Sequence, residues 1–173
     1  GSVADAGAVS VLVNDVPAIL DGSTFSASVT LNNGRNDILV FAADAAGNSV
    51  ADARVLYFDA STPVITVASP MDNSYTSSSH LDISGMVDET ATVTIAGVYA
   101  QTDGSNRWNG SVDLVAGSNT IEIVAVDLAG NSSSIKRTVT FDAVSPAVSI
   151  TSPKQDIATN DPAVTITGLV ADN

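Results

Sequence analysis

Four acidic side chains in this sequence could together bind a hard cation. The candidate ligands are Asp59, Asp88, Glu89 and Asp127. Ca²⁺ prefers about six to eight oxygen ligands, drawn from carboxylates and backbone carbonyls. The sequence contains no Asp-x-Asp-x-Asp-Gly loop, so a site built from these residues would not be an EF-hand. Calcium is therefore the candidate cofactor, provided that the fold brings these residues together.

The same residues also have a purely structural interpretation. Asp127 begins the segment Asp-Leu-Ala-Gly-Asn. An Asp at the start of a tight hairpin accepts hydrogen bonds from nearby backbone N–H groups, while Gly and Asn tolerate positive φ. Asp59 and Asp142 stand shortly before Thr-Pro and Ser-Pro, where they would form linker turns. A hydrogen-bonded turn and a calcium site both remain open from the sequence alone.

Catalytic and transition-metal chemistry find little support. The absence of cysteine excludes disulfides, thiolate metal sites and a cysteine nucleophile. His80, the only histidine, precedes a predicted strand and has no second His or Cys with which to bind a transition metal; we expect it at the surface. No nucleophile elbow accompanies the many Ser and Asp residues. We predict that the protein is not an enzyme.

Two aromatic residues, Phe25 and Trp108, recur at equivalent positions of a repeated pattern. An aromatic that recurs in register is most simply a core residue packed between two sheets. The alternative is an exposed platform for a sugar ring, extended by Tyr75 and Tyr99 with polar Asn and Asp side chains nearby. The exchange of Phe for Trp favours the core interpretation.

Composition narrows the class of protein. With 19 acidic and 6 basic residues among 173, the net charge is −13, which would repel a phosphate backbone, so we expect no nucleic-acid partner. Charged residues make up only 14%, too few for a disordered polyelectrolyte. The hydrophobic 45% is mostly aliphatic and rich in Val and Ile, which favours strands. No apolar run predicts membrane insertion.

A repeat with a period of about 83 residues organises the chain. Asp44–Asn48 matches Asp127–Asn131, and Asp59–Pro70 matches Asp142–Pro153, each pair 83 residues apart. Further matches, some with a one-residue slip, are Phe25 with Trp108, Asp21 with Asp103, and Gly85 with Gly168; residues 1–5 resemble the segment at Gly85. This period suits one small β-sandwich per repeat.

Alternation and turn residues predict seven strands in the middle repeat. They cover residues 64–68, 81–87, 90–96, 98–101, 107–114, 119–127 and 133–141. Short strands with turns every 8–12 residues or so indicate an Ig-like sandwich. In the sixth strand Ile121, Ile123 and Ala125 share one face, which we expect to point inward. Glu122 lies on the opposite face.

The repeated segments carry a family resemblance. Residues 31–48 and 114–131 are each followed by a strand and then by residues 58–70 or 141–153. This arrangement resembles bacterial Ig-like repeats of large surface and secreted proteins, either adhesin-type or glycosidase-accessory modules. The resemblance spans the chain and implies an all-β fold of tandem Ig-like β-sandwich repeats. It also implies a location outside a bacterial cell and a role as a stalk, spacer or accessory module.

An Ig-like fold would position the acidic residues. In such a domain the loop between the second and third strands and the last hairpin lie at the same end, where the chain also enters. Asp88 and Glu89 are in that loop, Asp127 is in that hairpin, and Asp59 is in the incoming linker. All four could therefore converge at the domain junction, where a bound cation would stiffen the joint.

The repeat also predicts domain boundaries. Residues 1–61 form a repeat lacking its first two strands, 62–144 a complete repeat, and 145–173 the first two strands of a third. Exposed edges pair with available strands. The tail of one chain could therefore complete the head of another, in a head-to-tail chain or a reciprocal homo-oligomer. The alternative is that the sequence simply begins and ends inside repeats.

Together these observations predict a non-enzymatic extracellular structural or adhesion module. Its partners would be neighbouring Ig-like repeats of the same protein. The alternative is a carbohydrate-binding accessory module of a secreted glycoside hydrolase.

Overall fold

A computed structural model describes residues 9–172, and every regular element in that range is a β-strand. The motif at residues 1–5 lies outside the described residues. The chain divides into two compact units: the chain through Thr62 with Ala129–Asn131, and Pro63–Leu128 with the chain from Ser132 onward. No helix in the described range is long and apolar enough to cross a membrane. The all-β, tandem Ig-like class predicted from turn spacing and the repeat is confirmed.

The first unit contains an antiparallel sheet and a separate hairpin. Its described strands are β1 (Val9–Val13), β2 (Val16–Pro17), β3 (Ile19–Asp21), β4 (Thr24–Ser26), β5 (Gly34–Asp44) and β6 (Ser49–Phe58). The sheet has the order β2-β1-β5-β6, and β3 pairs with β4. Val11 and Val13 on the central strand β1 are buried. By contrast, the alternate residues Ile38, Val40 and Ala42 of β5 are only half-buried.

The second unit contains a two-sheet sandwich. Its sandwich strands are β7 (Ile65–Ser69), β8 (Ser74–Thr76), β9 (His80–Val87), β10 (Ala91–Ile95), β11 (Val98–Tyr99), β12 (Gln101–Thr102), β13 (Arg107–Asp113), β14 (Gly117–Asp127) and β15 (Ser132–Phe141). One sheet has the order β11-β10-β14-β15-β8 and the other β12-β13-β9-β7. Two sheets packed face to face bury alternate residues from each strand.

That alternation builds one aliphatic core around a single aromatic ring. The buried cluster consists of Ile83, Val87, Val93, Ile95, Trp108, Leu114, Ile121, Ile123, Ala125 and Val139. Trp108 is 1% exposed and lies against Gly85 on the neighbouring strand, where even a methyl group would come within 2.3 Å of the ring. The predicted inward face of β14 is confirmed, and so is the core interpretation of Trp108.

The strand predictions need two corrections. The predicted segment 98–101 is two short strands, β11 and β12, which belong to different sheets. Strand β8 was missed: it pairs in parallel with the end of β15, Tyr75 opposite Thr140. Asp72 fixes this pairing, because its carboxylate accepts the N–H of Thr138 at 2.8 Å while the N–H of Asn73 donates to the carbonyl of Thr138 at 2.8 Å.

After the sandwich, a two-stranded ribbon repeats the pairing of its first strands. The ribbon consists of β16 (Ala147–Ser152) and β17 (Thr167–Ala171). Val148 lies opposite Val170 in the ribbon, as Ile65 lies opposite Val87 in the sandwich. Both pairs have a register shift near the end of the first strand. The ribbon therefore has the pairing expected for the first two strands of a third repeat, although the predicted boundaries at 61 and 144 remain predictions.

Candidate functional site

The first copy of the Asp-x-Ala-Gly-Asn motif joins β5 to β6 as a closed turn. Oδ1 of Asp44 accepts the N–H groups of Ala46 at 2.9 Å and Asn48 at 2.8 Å. The amide of Asn48 donates to Oδ2 at 2.6 Å, and Gly47 supplies a φ of 91°. These hydrogen bonds, led by that from the Asn48 side chain, lower the pKa of Asp44 below its usual range. In this copy the Asp acts in the turn, as the structural interpretation predicts.

The second copy lies between β14 and β15, and its Asp is buried. Asp127 is 8% exposed. Carboxylate oxygens of Asp127 and Glu89 lie within 4.8 Å of one another, and Glu89 is half-buried. Two like charges this close repel each other, and more strongly where water is excluded. A bound cation would relieve that repulsion, and a calcium site at these two residues stays a prediction.

Asp88 is positioned differently from Glu89, the next residue in the chain. Its Oδ1 accepts the N–H of Val64 at 2.7 Å, and its own N–H donates to the Val64 carbonyl at 3.2 Å. This reciprocal pair ties the loop after β9 to the residue before β7. One carboxylate oxygen of Asp88 is therefore engaged in holding the start of the sandwich.

Asp59 belongs to the end of the first unit. Its Oδ1 accepts the N–H of Ser61 at 2.9 Å, and its carbonyl accepts the side-chain amide of Asn131 at 3.0 Å. Asp142, its counterpart one repeat later, accepts the N–H of Val144 at 2.8 Å. Both Asp residues thus make the linker turns that the sequence predicts. Whether Asp59, Asp88, Glu89 and Asp127 share a cation remains a prediction.

His80 is a surface residue, as expected, and it has an acidic partner. Its Nδ1 lies 2.9 Å from Oδ1 of Asp113, directly across the β9–β13 pairing. The hydrogen bond to Asp113 is the main cause of a raised His80 pKa, and the charges of Asp113 and Asp82 add to it. The pair is exposed, so its electrostatic contribution is weak. In the described part of the chain, no hydroxyl is hydrogen-bonded to the His80 ring.

The sequence interpretation missed a groove on the outer face of the sheet β12-β13-β9-β7. The groove has a volume of about 590 Å³ and runs beside Tyr99 and Asn109. Tyr99 is 77% exposed, whereas Trp108 points into the core from the same region. The predicted sugar platform was centred on Trp108, which is buried; Tyr99 is the aromatic side chain that remains accessible here.

Comparison with known proteins assigns the two repeats to one family. The family model described as glucodextranase, domain B, matches residues 1–59 and again residues 63–143. Bacillopeptidase F of Bacillus subtilis (strain 168) is 30% identical over 146 residues, which is 82% of this chain and 10% of that protein. The chain thus spans about a tenth of that relative.

Two solved structures show weaker likeness. The fibronectin(III)-like modules of Clostridium thermocellum CbhA align with a TM-score of 0.47 and 16% identity, covering 77% of this chain and 76% of that one. The second structure is Bacteroides ovatus mixed-linkage glucan utilization locus SGBP-B in complex with a mixed-linkage heptasaccharide. It aligns with a TM-score of 0.28 and 16% identity, covering 88% of this chain and 43% of that one.

Proposed function

This chain belongs to the glucodextranase domain B family, and we propose that it serves as a non-catalytic spacer of tandem Ig-like repeats in a secreted or surface bacterial protein. Ig-like accessory domains are typically non-catalytic. The spacer would hold functional domains apart or present an adhesive tip. Its location outside the cell and its adhesive role are parts of this proposal.

The observation that carries the proposal is the firm attachment of the first residues of the second unit. Pro63 is fully buried, and its carbonyl accepts a hydrogen bond from the Ser133 hydroxyl. Val64 is bonded in both directions to Asp88. A proline also fixes φ and stiffens a linker. The chain therefore enters the sandwich along a fixed path, as a spacer requires.

Backbone NMR relaxation tests this stiffness. We expect the amide of Val64 to have an order parameter near 0.85, typical of rigid backbone, on the ps–ns timescale. Asp88→Ala should lower it, because the Val64 N–H then loses its acceptor. Asp82→Ala, on the outer face of β9, is the matched control. An order parameter below about 0.6 at Val64 in the unmodified protein would contradict the fixed path of the chain into the sandwich.

We retain calcium as a proposed ligand. Glu89 and Asp127 supply two neighbouring carboxylates within the second unit. Asp59 is the third candidate ligand from the sequence prediction, and the free oxygen of Asp88 is the fourth. A hard cation that accepts several carboxylate oxygens suits this set better than a transition metal, which prefers nitrogen or sulfur ligands.

Calorimetric titration with Ca²⁺ tests the metal proposal. Binding should raise the melting temperature, since a ligand at 100 times its Kd stabilises the folded state by about 2.7 kcal/mol. Asp127→Asn and Glu89→Gln should each abolish the effect, whereas Asp82→Asn should not. An unmodified protein that shows neither heat nor a melting shift would exclude the site.

Strand complementation between chains is a further part of the proposed function. In the first unit Leu56 is 46% exposed, whereas its counterpart Val139 in the complete sandwich is fully buried. The ribbon β16–β17 has the register of β7–β9, and residues of β7 and β9 pack in the same core cluster as Val139 in the second unit. We therefore expect the ribbon of a second copy to pack against the exposed face of β5 and β6.

Light scattering over a wide concentration range tests this association. We expect the mass to rise to that of a dimer or larger assembly. Val170→Asp should prevent association, because its counterpart Val87 points into the core and is 3% exposed. Leu169→Asp is the control, since its counterpart Met86 is 43% exposed on the outer face. A monomer at every concentration would refute complementation.

The second candidate function is that of a carbohydrate-binding accessory module of a secreted glycoside hydrolase. Two observations favour it. The matching family model carries the description glucodextranase, domain B, and the second unit has a groove beside an exposed tyrosine. Electrophoresis of the protein through gels containing neutral polysaccharides tests the function. Unchanged mobility in every gel would contradict it.

A further inference from the structure

We propose that the groove beside Tyr99 binds a neutral saccharide, with the tyrosine ring stacked on a sugar ring and nearby polar side chains bonded to its hydroxyl groups. The polar lining residues are Asp82, Ser84, Gln101, Asn109 and Ser111. A volume of about 590 Å³ falls within the range of roughly 300–1,000 Å³ that is usual for ligand sites. This inference rests on the second candidate function and names the residues that would perform it.

Strand pairing arranges the polar side chains in two rows. Asn109 lies opposite Gln101 on one side and Ser84 on the other, so one row crosses three strands. Ser111 lies opposite Asp82 in the next row. Directly opposed residues in an antiparallel pair have Cβ atoms about 4.5–5.5 Å apart. The groove therefore presents closely spaced amide, hydroxyl and carboxylate groups on a rigid sheet.

These side chains are not used to build the fold. None of the five polar lining residues has a side-chain hydrogen bond within the described part of the chain. Elsewhere such side chains hold turns: Asn119 bonds the backbone of Val115 in both directions, and Asp103 accepts the N–H groups of Ser105 and Arg107. The donors and acceptors of the groove thus remain available to a ligand.

The first unit provides an internal comparison, because its strands keep the same pairing without the groove residues. Pro17 pairs with β1 where Tyr99 pairs with β10. Ile19 and Ser26 are opposed where Gln101 and Asn109 are opposed. The repeat therefore folds without an aromatic ring or amides at these strand positions. Their presence in the second unit is not explained by the needs of the fold.

The chemistry of the groove selects a neutral ligand. Amides and hydroxyls both donate and accept hydrogen bonds, and the Asp82 carboxylate accepts them, which suits hydroxyl groups. No Lys or Arg is among the described residues that line the groove, and the net charge of −13 would repel an anionic sugar. A tyrosine ring offers an apolar face together with a polar tip, as stacking on a hydroxylated ring requires. The ligand class is therefore a neutral polysaccharide.

Affinity electrophoresis and calorimetry with defined polysaccharides test the site. The probes are an α-1,6-linked glucan, a mixed-linkage β-glucan and a galactomannan. We expect at least one to bind, and Tyr99→Ala to weaken that binding about tenfold, equivalent to about 1.4 kcal/mol. Asn109→Ser, which introduces the residue of the first unit, should weaken it as well.

Tyr75→Ala is the matched control, because Tyr75 is 80% exposed but lies outside the groove. Unchanged fluorescence of the buried Trp108 would show that each variant is folded. If a polysaccharide binds and Tyr99→Ala binds it equally well, the groove assignment is wrong while the carbohydrate function survives. If no polysaccharide binds the unmodified protein, both are wrong and the spacer function is unaffected.

Discussion

Replacing Gly85 by alanine tests the packing of the second unit at its tightest point. An added Cβ would lie 2.0 Å from the carbonyl oxygen of Thr66 and 2.3 Å from Cζ2 of Trp108. The first atom belongs to the backbone of β7, and the second to a ring enclosed by the core. Neither can move freely, because the methyl group is caught between a paired strand and a buried ring.

The structure sets the size of the effect. Overpacking a core usually costs about 1–3 kcal/mol. Both overlaps at Gly85 are severe and involve different structural elements. We therefore expect the free energy of unfolding to fall by an amount near the upper end of this range, about 3 kcal/mol. For a unit of this size each 1 kcal/mol lowers the melting temperature by about 4–8 °C. Gly85→Ala should therefore melt roughly 12–24 °C lower than the unmodified protein.

Thermal unfolding followed by tryptophan fluorescence measures this loss. Trp108 is the only tryptophan and is buried, so its emission reports on the second unit. Gly104→Ala is the control, since nothing lies within 4 Å of its added Cβ. It should be neutral or slightly stabilising, because alanine restricts the unfolded chain. A Gly85→Ala protein that melts within about 4 °C of the unmodified protein would refute the packing argument.

Three further predictions concern single side chains. NMR titration should place the pKa of His80 above 6.5, and Asp113→Asn should lower that pKa. The His80–Asp113 pair stabilises the fold below pH 6.5, and this contribution is lost as the pH rises through the folded-state pKa of His80. The pKa of Asp44 should lie below 3.8, so its contribution to folding stability is present above pH 3.8 and is lost as the pH falls through the folded-state pKa. Asn48→Ala should raise that pKa in a carboxyl NMR titration. Asn119→Ala should destabilise the second unit by about 0.5–1.5 kcal/mol in urea unfolding, because the loop carbonyls lose their donor.

Local patterns predicted the parts of the fold that local physics determines. The alternation of Ile121, Ile123 and Ala125 identified the inward face of β14, because successive side chains of a strand point to opposite faces. The Asp44 turn was also predictable, since its hydrogen bonds span two to four residues. In both cases the evidence lies within a few residues of the feature it predicts.

Long-range pairing accounts for what the sequence did not show. Strand β8 has three residues and forms only because β15, more than sixty positions away, offers a parallel edge. The partner of Asp88 is Val64, 24 residues earlier, and no spacing rule connects them. The sequence placed Asp88 among the candidate calcium ligands, but only the fold shows that one of its oxygens already holds the start of the sandwich.

The groove shows how a repeat can reveal a site that alternation hides. Outward-facing polar residues on a strand have the same pattern whether they bind a ligand or only water, so Asn109 and Gln101 were indistinguishable from ordinary surface residues. Alignment by strand pairing removes this ambiguity, because it shows what the scaffold tolerates at the same position: Ser26 and Ile19 in the first unit. Residues that the fold leaves free to vary, yet that gather beside an exposed tyrosine, are where a function separate from the spacer should be sought.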